Sequence, residues 1–383
     1  MKNYHFLPVF AALLASYIGL HLYSAFWFAR CFAVSAAAAR GLRLLFLLLA
    51  LFAPFTMFLR HRCASPALDW FYGAGYSWMG IIFLAGAGFV FADLIISGLR
   101  CFISPAGLQY YRYGVLAALG FVLAYAFYGG SRTPEVKELK IAVTGLPPDM
   151  EGIRIAQISD THIDSEDKLR RFSGTVDSVN AAKPDLVLFT GDLLDPGLSD
   201  VARLGEMVRE LKPRLGVYGV LGNHEYYFGY EKSLACYKEF GVHLLRNEAA
   251  DVTGPALTSD KSEMNIRLIG FGDILTEKMT EKNVADILKK YHRPGVSILM
   301  THQPVMYPLM ADLGDFVGFS GHTHRGQIFP FHVFTRLFYK YFYGLYRVKN
   351  SFFYITSGTG TWGPPMRWLA PAEIPIITLV NAN

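Results

Sequence analysis

Residues 154–164 read RIAQISDTHID, an apolar run that ends at Asp160-Thr-His162. Its β-branched residues predict a short buried strand, and the polar residues after it predict a loop at the strand's carboxyl end. Four further stretches have the same form: LVLFTGD at 186–192, VYGVLGN at 217–223, ILMTH at 298–302 and FVGFSGH at 316–322. Ligands bind at the carboxyl ends of strands in α/β folds, so we expect these five strand ends to meet in one region.

The chain between and after these strands alternates short β-type runs with charged helical patterns. Helices are predicted near residues 168–182, 201–211, 231–239 and 282–291. Such alternation is typical of an α/β domain. We therefore predict an α/β fold over residues 132–383.

The polar residues at the strand ends have an alternative explanation as turn formers or helix caps. Taken singly, Asp160 and Asp192 are each explained by a capping role. Five coincidences in one domain favour a shared site instead. Glycine directly precedes Asp192, Asn223 and His322, as tight turns from strand to loop require. The sequence therefore predicts a cluster of nitrogen and oxygen ligands.

In chain order the blocks are D-x-H (Asp160, His162), G-D-x-x-D (Asp192, Asp195), G-N-H-E (Asn223, His224, Glu225), His302 and G-H-x-H (His322, His324). This set resembles the calcineurin-like metallophosphoesterase superfamily over about residues 136–383. The residues that follow, including SGTGTWG at 357–363, look like a bacterial membrane-associated branch. The resemblance implies two central β-sheets flanked by helices.

The resemblance also implies roles for single residues. Asp160, His162 and His324 are similar to the ligands of one metal, and Asn223, His302 and His322 to those of the other, with Asp192 as the bridging carboxylate. His224 resembles the general acid, with Glu225 or Asp195 to orient it. We leave Asp195 outside the core set, because a surface role explains it as well.

The number and type of the donor atoms also favour a binuclear metal centre. Seven side chains exceed what one tetrahedral ion needs, and a donor set without thiolate suits two divalent ions such as Mn, Fe, Zn, Ni or Co. Two ions sharing a carboxylate clamp both oxygens of an in-line displacement, in which a metal-bound hydroxide attacks phosphorus. Two positions depart from the family pattern: Glu225 replaces the commoner Asp, and Arg325 places a positive charge where it would stabilise phosphate oxygens.

The first 131 residues have a different composition from the rest. They hold ten of the 67 charged residues and four apolar stretches, near residues 7–28, 44–59, 78–99 and 113–128. Spanning helices need about 17–25 apolar residues, and aromatic residues at the ends of these stretches support membrane spans. We predict a membrane domain of about four transmembrane helices over residues 1–131, and thus a multi-pass protein of the cell membrane.

Details of this domain leave alternatives open. The first stretch is longer than a signal-peptide core, which favours an uncleaved anchor. Arg and Lys are too evenly spread to predict the side of the membrane. Asp93 within the third stretch is either functional, paired with Arg100, close to the interface or protonated.

The predicted function is a membrane-anchored dimetal phosphohydrolase, acting on a phosphodiester or phosphomonoester. Residues 328–354 interleave Phe and Tyr with Arg and Lys. This pattern is typical of contact with a bilayer or lipid phosphate, of binding to single-stranded nucleic acid, or of a hairpin in the core, and the membrane domain favours lipid over nucleic acid. A lipid-linked substrate is therefore among the candidates. No nucleic acid partner is expected, because the net charge is only +5 and basic runs are absent.

Two other functions remain open at the level of sequence. One is a catalytically inactive metal-binding scaffold that recruits partners at the membrane, although such a protein is expected to have lost ligands. In the other, the membrane domain is a sensor or transporter and the second domain is its effector. Only Asp93 and His21 support this function in the sequence. The four cysteines are expected to be free thiols, and the oligomeric state is not predicted.

Overall fold

The computed structural model describes residues 6–63, 65–255 and 263–382. The chain forms two compact units. One comprises Met1–Ser131 together with Gly363–Trp368, and the other comprises Arg132–Trp362 and Leu369–Asn383. The short segment Gly363–Trp368 is an addition that the sequence does not predict for the first unit.

The first unit is helical. Its four long helices are α1 (Phe6–Cys31), α2 (Ala36–Arg62), α3 (Asp69–Leu99) and α4 (Pro105–Ser131). Each is long and apolar enough to cross a membrane, which confirms the prediction of four such helices. Helix α2 extends well beyond the predicted stretch and continues through Pro54.

Asp93 is the centre of a polar cluster inside the first unit. Its carboxylate accepts hydrogen bonds from the Tyr23 hydroxyl at 2.7 Å and from Trp27 Nε1 at 3.2 Å, and it forms an ion pair with Arg30. The suggested pairing with Arg100 on the same helix is therefore wrong, because Arg30 of α1 supplies the cation. The cluster joins α1 to α3, a structural explanation for a carboxylate in an apolar helix.

The second unit contains the remaining helices and all the strands. The helices are α5 (Glu166–Ala181), α6 (Val201–Arg209), α7 (Asn223–Glu239), α8 (Glu281–Tyr291), α9 (Tyr307–Leu313) and α10 (Phe331–Phe338). The strands are β1 (Glu135–Val143), β2 (Arg154–Ile158), β3 (Leu186–Thr190), β4 (Val217–Val220), β5 (His243–Leu244), β6 (Glu248–Pro255), β7 (Glu263–Gly270), β8 (Val296–Met300), β9 (Asp315–Ser320), β10 (Gly344–Val348), β11 (Ser351–Ile355) and β12 (Glu373–Asn381).

The strands form two six-stranded sheets, in the orders β1-β12-β2-β3-β4-β5 and β10-β11-β9-β8-β7-β6. The five strands that precede the polar motifs lie inside these sheets and run parallel to their neighbours in β2-β3-β4 and in β8-β9. This architecture confirms the predicted α/β class with two central sheets flanked by helices.

The central strands of each sheet are buried on both faces. Leu188 of β3 and Ile298 of β8 belong to one core between the sheets. Their neighbours Val187 and Leu299 point to the opposite faces, where helices cover them. This explains why the strands read as nearly continuous apolar runs rather than as alternating patterns.

The edge strand β6 and the stretch 328–354 are harder to predict from the sequence than the central strands. Strand β6 pairs only with β7, so its sequence EAADVTGP needs few apolar residues. In the stretch 328–354, only the β10–β11 part forms the suggested hairpin. The preceding residues form α10 instead, whose short amphipathic pattern the sequence analysis did not identify.

Candidate active site

The predicted ligands directly follow the strands, mostly in loops, and Asn223 is the first residue of α7. The loop after β2 is held against the loop after β3 by main-chain hydrogen bonds from Asp160 N to Gly191 O, at 3.0 Å, and from His162 N to Asp192 O, at 2.9 Å. An isolated bridge between Ile163 and Leu194 extends this pairing. The two loops therefore form one rigid platform at the edge of the sheet.

Backbone strain is concentrated in these loops. Five of the predicted ligands have positive φ angles near the left-handed region, which costs free energy for residues other than glycine. These residues are Asp160 (φ 54°), His162 (50°), Asp192 (55°), His322 (70°) and His324 (49°). Strain of this kind persists only where surrounding contacts impose it, and it is common at functional sites.

Three side chains form the first cluster that could hold a metal ion: Asp160, His162 and His324. The two imidazole Nε2 atoms lie 2.9 Å apart, and Nε2 of His324 lies 3.6 Å from Oδ1 of Asp160. All three side chains are buried. This is the set that the family resemblance implies for one metal.

The second cluster contains Asp192, His302 and His322. Nε2 of His302 lies 3.2 Å from Oδ2 of Asp192, 3.2 Å from Oδ1 of Asn223 and 3.1 Å from Nδ1 of His322. Burial and the neighbouring His302 lower the pKa of His322 to about 3, so its ring is neutral and available as a ligand.

The donor set fits a cation better than it fits protons. Nδ1 of His302 donates its hydrogen to the carbonyl oxygen of Thr190 at 2.8 Å, which leaves Nε2 as the other ring nitrogen. A proton on that nitrogen satisfies only one of its three close neighbours, whereas a metal ion between them satisfies all. The convergence of buried lone pairs therefore matches a divalent ion bound by nitrogen and oxygen.

Asp192 lies between the clusters. Its Oδ2 is 3.2 Å from Nε2 of His302 and 3.6 Å from Nε2 of His162. Its Oδ1 accepts a hydrogen bond from the main-chain nitrogen of His224 at 2.9 Å. A carboxylate in this position is suited to contact both ions.

Gly222 is required by close packing at Asp192. A Cβ atom added to Gly222 would lie 2.2 Å from Oδ1 of Asp192. We expect Gly222→Ala to lower the free energy of unfolding by about 1–3 kcal/mol and to weaken metal binding, because the carboxylate must move. Thermal unfolding with and without Mn²⁺ measures both effects.

Gly174→Ala is the matched control for that variant. Gly174 lies inside α5, where the nearest atoms to an added Cβ are 3.5 Å away. Alanine is expected to stabilise this helix by about 0.5–1 kcal/mol. Equal thermal shifts and equal metal affinity in the two variants would contradict the role given to Gly222.

Asp195 connects the general-acid candidate to the metal cluster. Its Oδ1 accepts a hydrogen bond from Nδ1 of His224 at 2.8 Å, and its Oδ2 accepts one from Nδ1 of His162 at 3.1 Å. Burial tends to raise the pKa of Asp195, but these two hydrogen bonds hold it well below its usual range. Asp195 therefore belongs to the site, although the sequence analysis left it out.

His224 is well placed to carry a proton. Burial on its own lowers the pKa of His224, but the hydrogen bond to Asp195 and the nearby carboxylate of Asp192 raise it to about 9. Bound divalent ions would lower this pKa again. His224 also forms a possible metal-holding group with His162 and Asp192, a second role for which the sequence offered no pattern.

Asp195→Asn is expected to lower kcat by about 10–100-fold, because an amide cannot accept hydrogen bonds from both rings with both of its atoms. Steady-state kinetics on a phosphodiester measures this loss. Asp200→Asn is the control, since Asp200 caps α6 through Arg203 N and asparagine caps helices equally well. An unchanged kcat in Asp195→Asn would show that His224 is oriented by other contacts.

Glu225 does not orient His224. Its buried carboxylate accepts hydrogen bonds from the main-chain nitrogens of Gly222, Asp192, Leu193 and Leu194. It therefore fixes the two loops that carry Asp192 and Asn223. Of the two carboxylates predicted as alternatives for orienting His224, Asp195 is therefore the one that bonds its ring.

Two further residues complete the description of the site. Arg325 lies with its guanidinium 4.3 Å from the ring centre of Tyr343, so its action on phosphate oxygens stays a prediction. The Tyr339 hydroxyl lies 2.7 Å from Nε2 of His322 and holds that ring from the side opposite to its Nδ1. No motif marks Tyr339, whose place beside His322 depends on the turn after α10.

A two-sheet α/β domain that gathers these nitrogen and oxygen ligands at its strand ends defines a metal-dependent phosphoesterase. Comparison with known proteins agrees: the family described as calcineurin-like phosphoesterase matches residues 153–326. A metallophosphoesterase of Helicobacter pylori is 32% identical over 272 residues, which cover 70% of this chain and 70% of that protein. This chain belongs to the calcineurin-like metallophosphoesterase family.

Other relatives differ in how much of their length is matched. A "transmembrane protein with metallophosphoesterase domain" of Danio rerio is 32% identical over 282 residues, which cover 71% of this chain and 64% of that protein. A metallophosphoesterase of Bacillus subtilis is 28% identical over 285 residues, covering 71% and 96%. The chain thus spans about two thirds of the Danio rerio relative. The four helices able to cross a bilayer and the likeness to the Danio rerio protein indicate a membrane protein.

Proposed function

We propose that this protein is a membrane-anchored phosphohydrolase that cleaves phosphate esters at a centre of two divalent metal ions. The observation that carries this proposal is the position of Asp192, whose Oδ2 lies close to Nε2 of both His162 and His302. One carboxylate thus faces two separate groups of buried ligands. That arrangement suits two ions a few ångströms apart and exceeds the needs of one structural ion.

The ligand roles follow the two clusters. Asp160, His162 and His324 would hold one ion, and Asn223, His302 and His322 the other, with Asp192 shared. When bound, two such ions lower the pKa of a water molecule and polarise the phosphoryl group. Manganese, iron, zinc, nickel and cobalt all fit this donor set.

The chain's own residues supply the proton and its control. His224 uses Nδ1 to bond Asp195, so Nε2 is the ring nitrogen that donates a proton to the leaving oxygen. Asp195 holds the ring and stabilises its charged form. Glu225 keeps Asp192 and the turn at Gly222 fixed, which prevents the centre from relaxing around the ester.

The four apolar helices narrow the proposed class of substrate to esters presented at a membrane. We propose that α1–α4 anchor the chain in the cell membrane as a multi-pass protein, and that the ester is a phosphodiester or phosphomonoester presented at the bilayer, including lipid-linked esters. Support comes from the four apolar helices and from the exposed apolar residues of α10 near the site.

The test is hydrolysis of bis-p-nitrophenyl phosphate and p-nitrophenyl phosphate by the full-length protein in detergent, with Mn²⁺ or with a chelator. We expect turnover that depends on the metal, and the ratio of the two rates separates diesterase from monoesterase activity. Two bound metal equivalents without turnover of either ester, or of lipid phosphate esters in nanodiscs, would favour the inactive scaffold.

A further inference from the structure

Helix α10 is amphipathic, but its apolar side is the exposed one, which is the reverse of a helix on the surface of a water-soluble domain. Its polar residues Thr335 and His332 face the protein: Thr335 is buried, and Nε2 of His332 lies 3.3 Å from Leu369 O. Its exposed side carries five large apolar residues, which we call the α10 face: Phe331, Val333, Phe334, Leu337 and Phe338. Leu337 is 77% exposed and Phe338 80% exposed, values that are unfavourable in water.

Basic residues accompany this face. Arg336 lies on the exposed part of α10, and Lys340 follows the helix by two residues and is also exposed. A short helix with an apolar face and flanking cations is the pattern of elements that lie in the interface of a bilayer with anionic lipids. A soluble acidic peptide would pair with the cations but would leave Leu337 and Phe338, at the end of the helix, exposed.

The α10 face is built onto the loop that carries the metal ligands. Gly326 packs so closely against α10 that an added Cβ would lie 2.6 Å from the Cα of His332. Tyr339, the first residue after α10, contacts His322 through its hydroxyl. A surface bound to α10 is therefore held close to the loop that carries His322 and His324.

The short connection between the two units favours lipid as the partner of the α10 face. Only Arg132, Thr133 and Pro134 separate the end of α4 from the beginning of β1. A linker of three residues spans about 10 Å at most, so any bilayer crossed by α4 is within reach of the second unit.

We propose that α10 inserts its apolar face into the lipid interface and so presents phosphate groups of the bilayer to the metal centre. The docking of α10 does not depend on catalysis, whereas the presentation of substrate rests on the phosphohydrolase function proposed above. The exposed cations Arg336 and Lys340 would contact anionic headgroups while the five apolar side chains lie below them.

The first test measures depth directly and needs no activity. The full-length protein with Cys63→Ser and Cys101→Ser carries a fluorophore at Phe338→Cys, in nanodiscs of phosphatidylcholine and phosphatidylglycerol that contain spin-labelled lipid. We expect strong quenching at position 338. A matched label at Lys289→Cys, an exposed position on α8, should show little quenching. Equal quenching at the two positions, or none at 338, would overturn the proposal.

The second test separates docking from chemistry. The double variant Phe334→Ser/Leu337→Ser is expected to keep the turnover of soluble bis-p-nitrophenyl phosphate. Its turnover of a nitrophenyl phosphodiester linked to a lipid in the nanodisc should fall about tenfold or more, since the lost apolar groups weaken insertion. Leu275→Ser, which replaces an apolar residue exposed elsewhere on the second unit, should leave both rates unchanged.

The outcomes assign any failure to its source. If the wild-type protein hydrolyses neither ester while position 338 is still quenched, the phosphohydrolase function is contradicted and the insertion of α10 is supported. Equal turnover of the lipid-linked ester by wild type and double variant would contradict presentation by α10. Dimers in light scattering that protect position 338 from a water-soluble quencher, without quenching by lipid, would assign the face to a second copy and overturn the proposal.

Discussion

Replacing Asp192 with asparagine is expected to lower kcat by more than about 100-fold, beyond the effect of removing a residue that only supports a ligand. Asp192 faces His162 and His302, so its charge serves both groups of ligands. An amide keeps the shape of the side chain but removes the negative charge that two adjacent cations require. We therefore expect bound metal to fall from two equivalents towards one.

Metal content by elemental analysis and kcat on bis-p-nitrophenyl phosphate measure the two effects together. Asp177→Asn is the control, because Asp177 is exposed on α5 and distant in sequence from every motif. Two equivalents of metal with near-normal turnover in Asp192→Asn would show that the carboxylate does not bridge the ions. Loss of turnover with both ions retained would give Asp192 a role in orienting His224 through its main-chain contact instead.

Replacing His224 with alanine is expected to lower kcat by about 10²–10⁴-fold for an ester with an alkoxide leaving group. The reason is that an alkoxide needs a proton as it departs. A p-nitrophenolate leaving group is stable without one, so the loss on bis-p-nitrophenyl phosphate should be much smaller. The dependence of the rate on the leaving group's pKa is therefore expected to become steeper in the variant.

Metal content distinguishes this role from metal binding. A general acid can be removed with both ions retained, whereas a ligand cannot, and His224 lies close enough to His162 and Asp192 for either role. Equal losses on alkyl and nitrophenyl esters, with a missing ion, would contradict proton donation. His243→Ala is the control, because His243 is exposed on β5 and packs only beside Tyr218 among its ring contacts.

The sequence determined much of the fold and most of the candidate site. Buried parallel strands leave continuous apolar runs, and tight turns at their ends favour glycine, so residues 186–192 and 316–322 predict both the strand and the loop that follows it. The four apolar helices are equally direct, because a bilayer demands about 20 apolar residues in a row. Local composition records these constraints.

Only the tertiary structure decided how the polar residues divide their work. Asp195 and Glu225 are each the last residue of a motif, yet Asp195 bonds two imidazoles and Glu225 bonds four main-chain nitrogens. Tyr339 reaches His322 only because α10 turns the chain back towards the second sheet's loop. Hydrogen bonds between residues far apart in sequence have no local pattern, since their partners are set by packing. The fold therefore determined which carboxylate bonds His224 and which one bonds the main chain of the neighbouring loops.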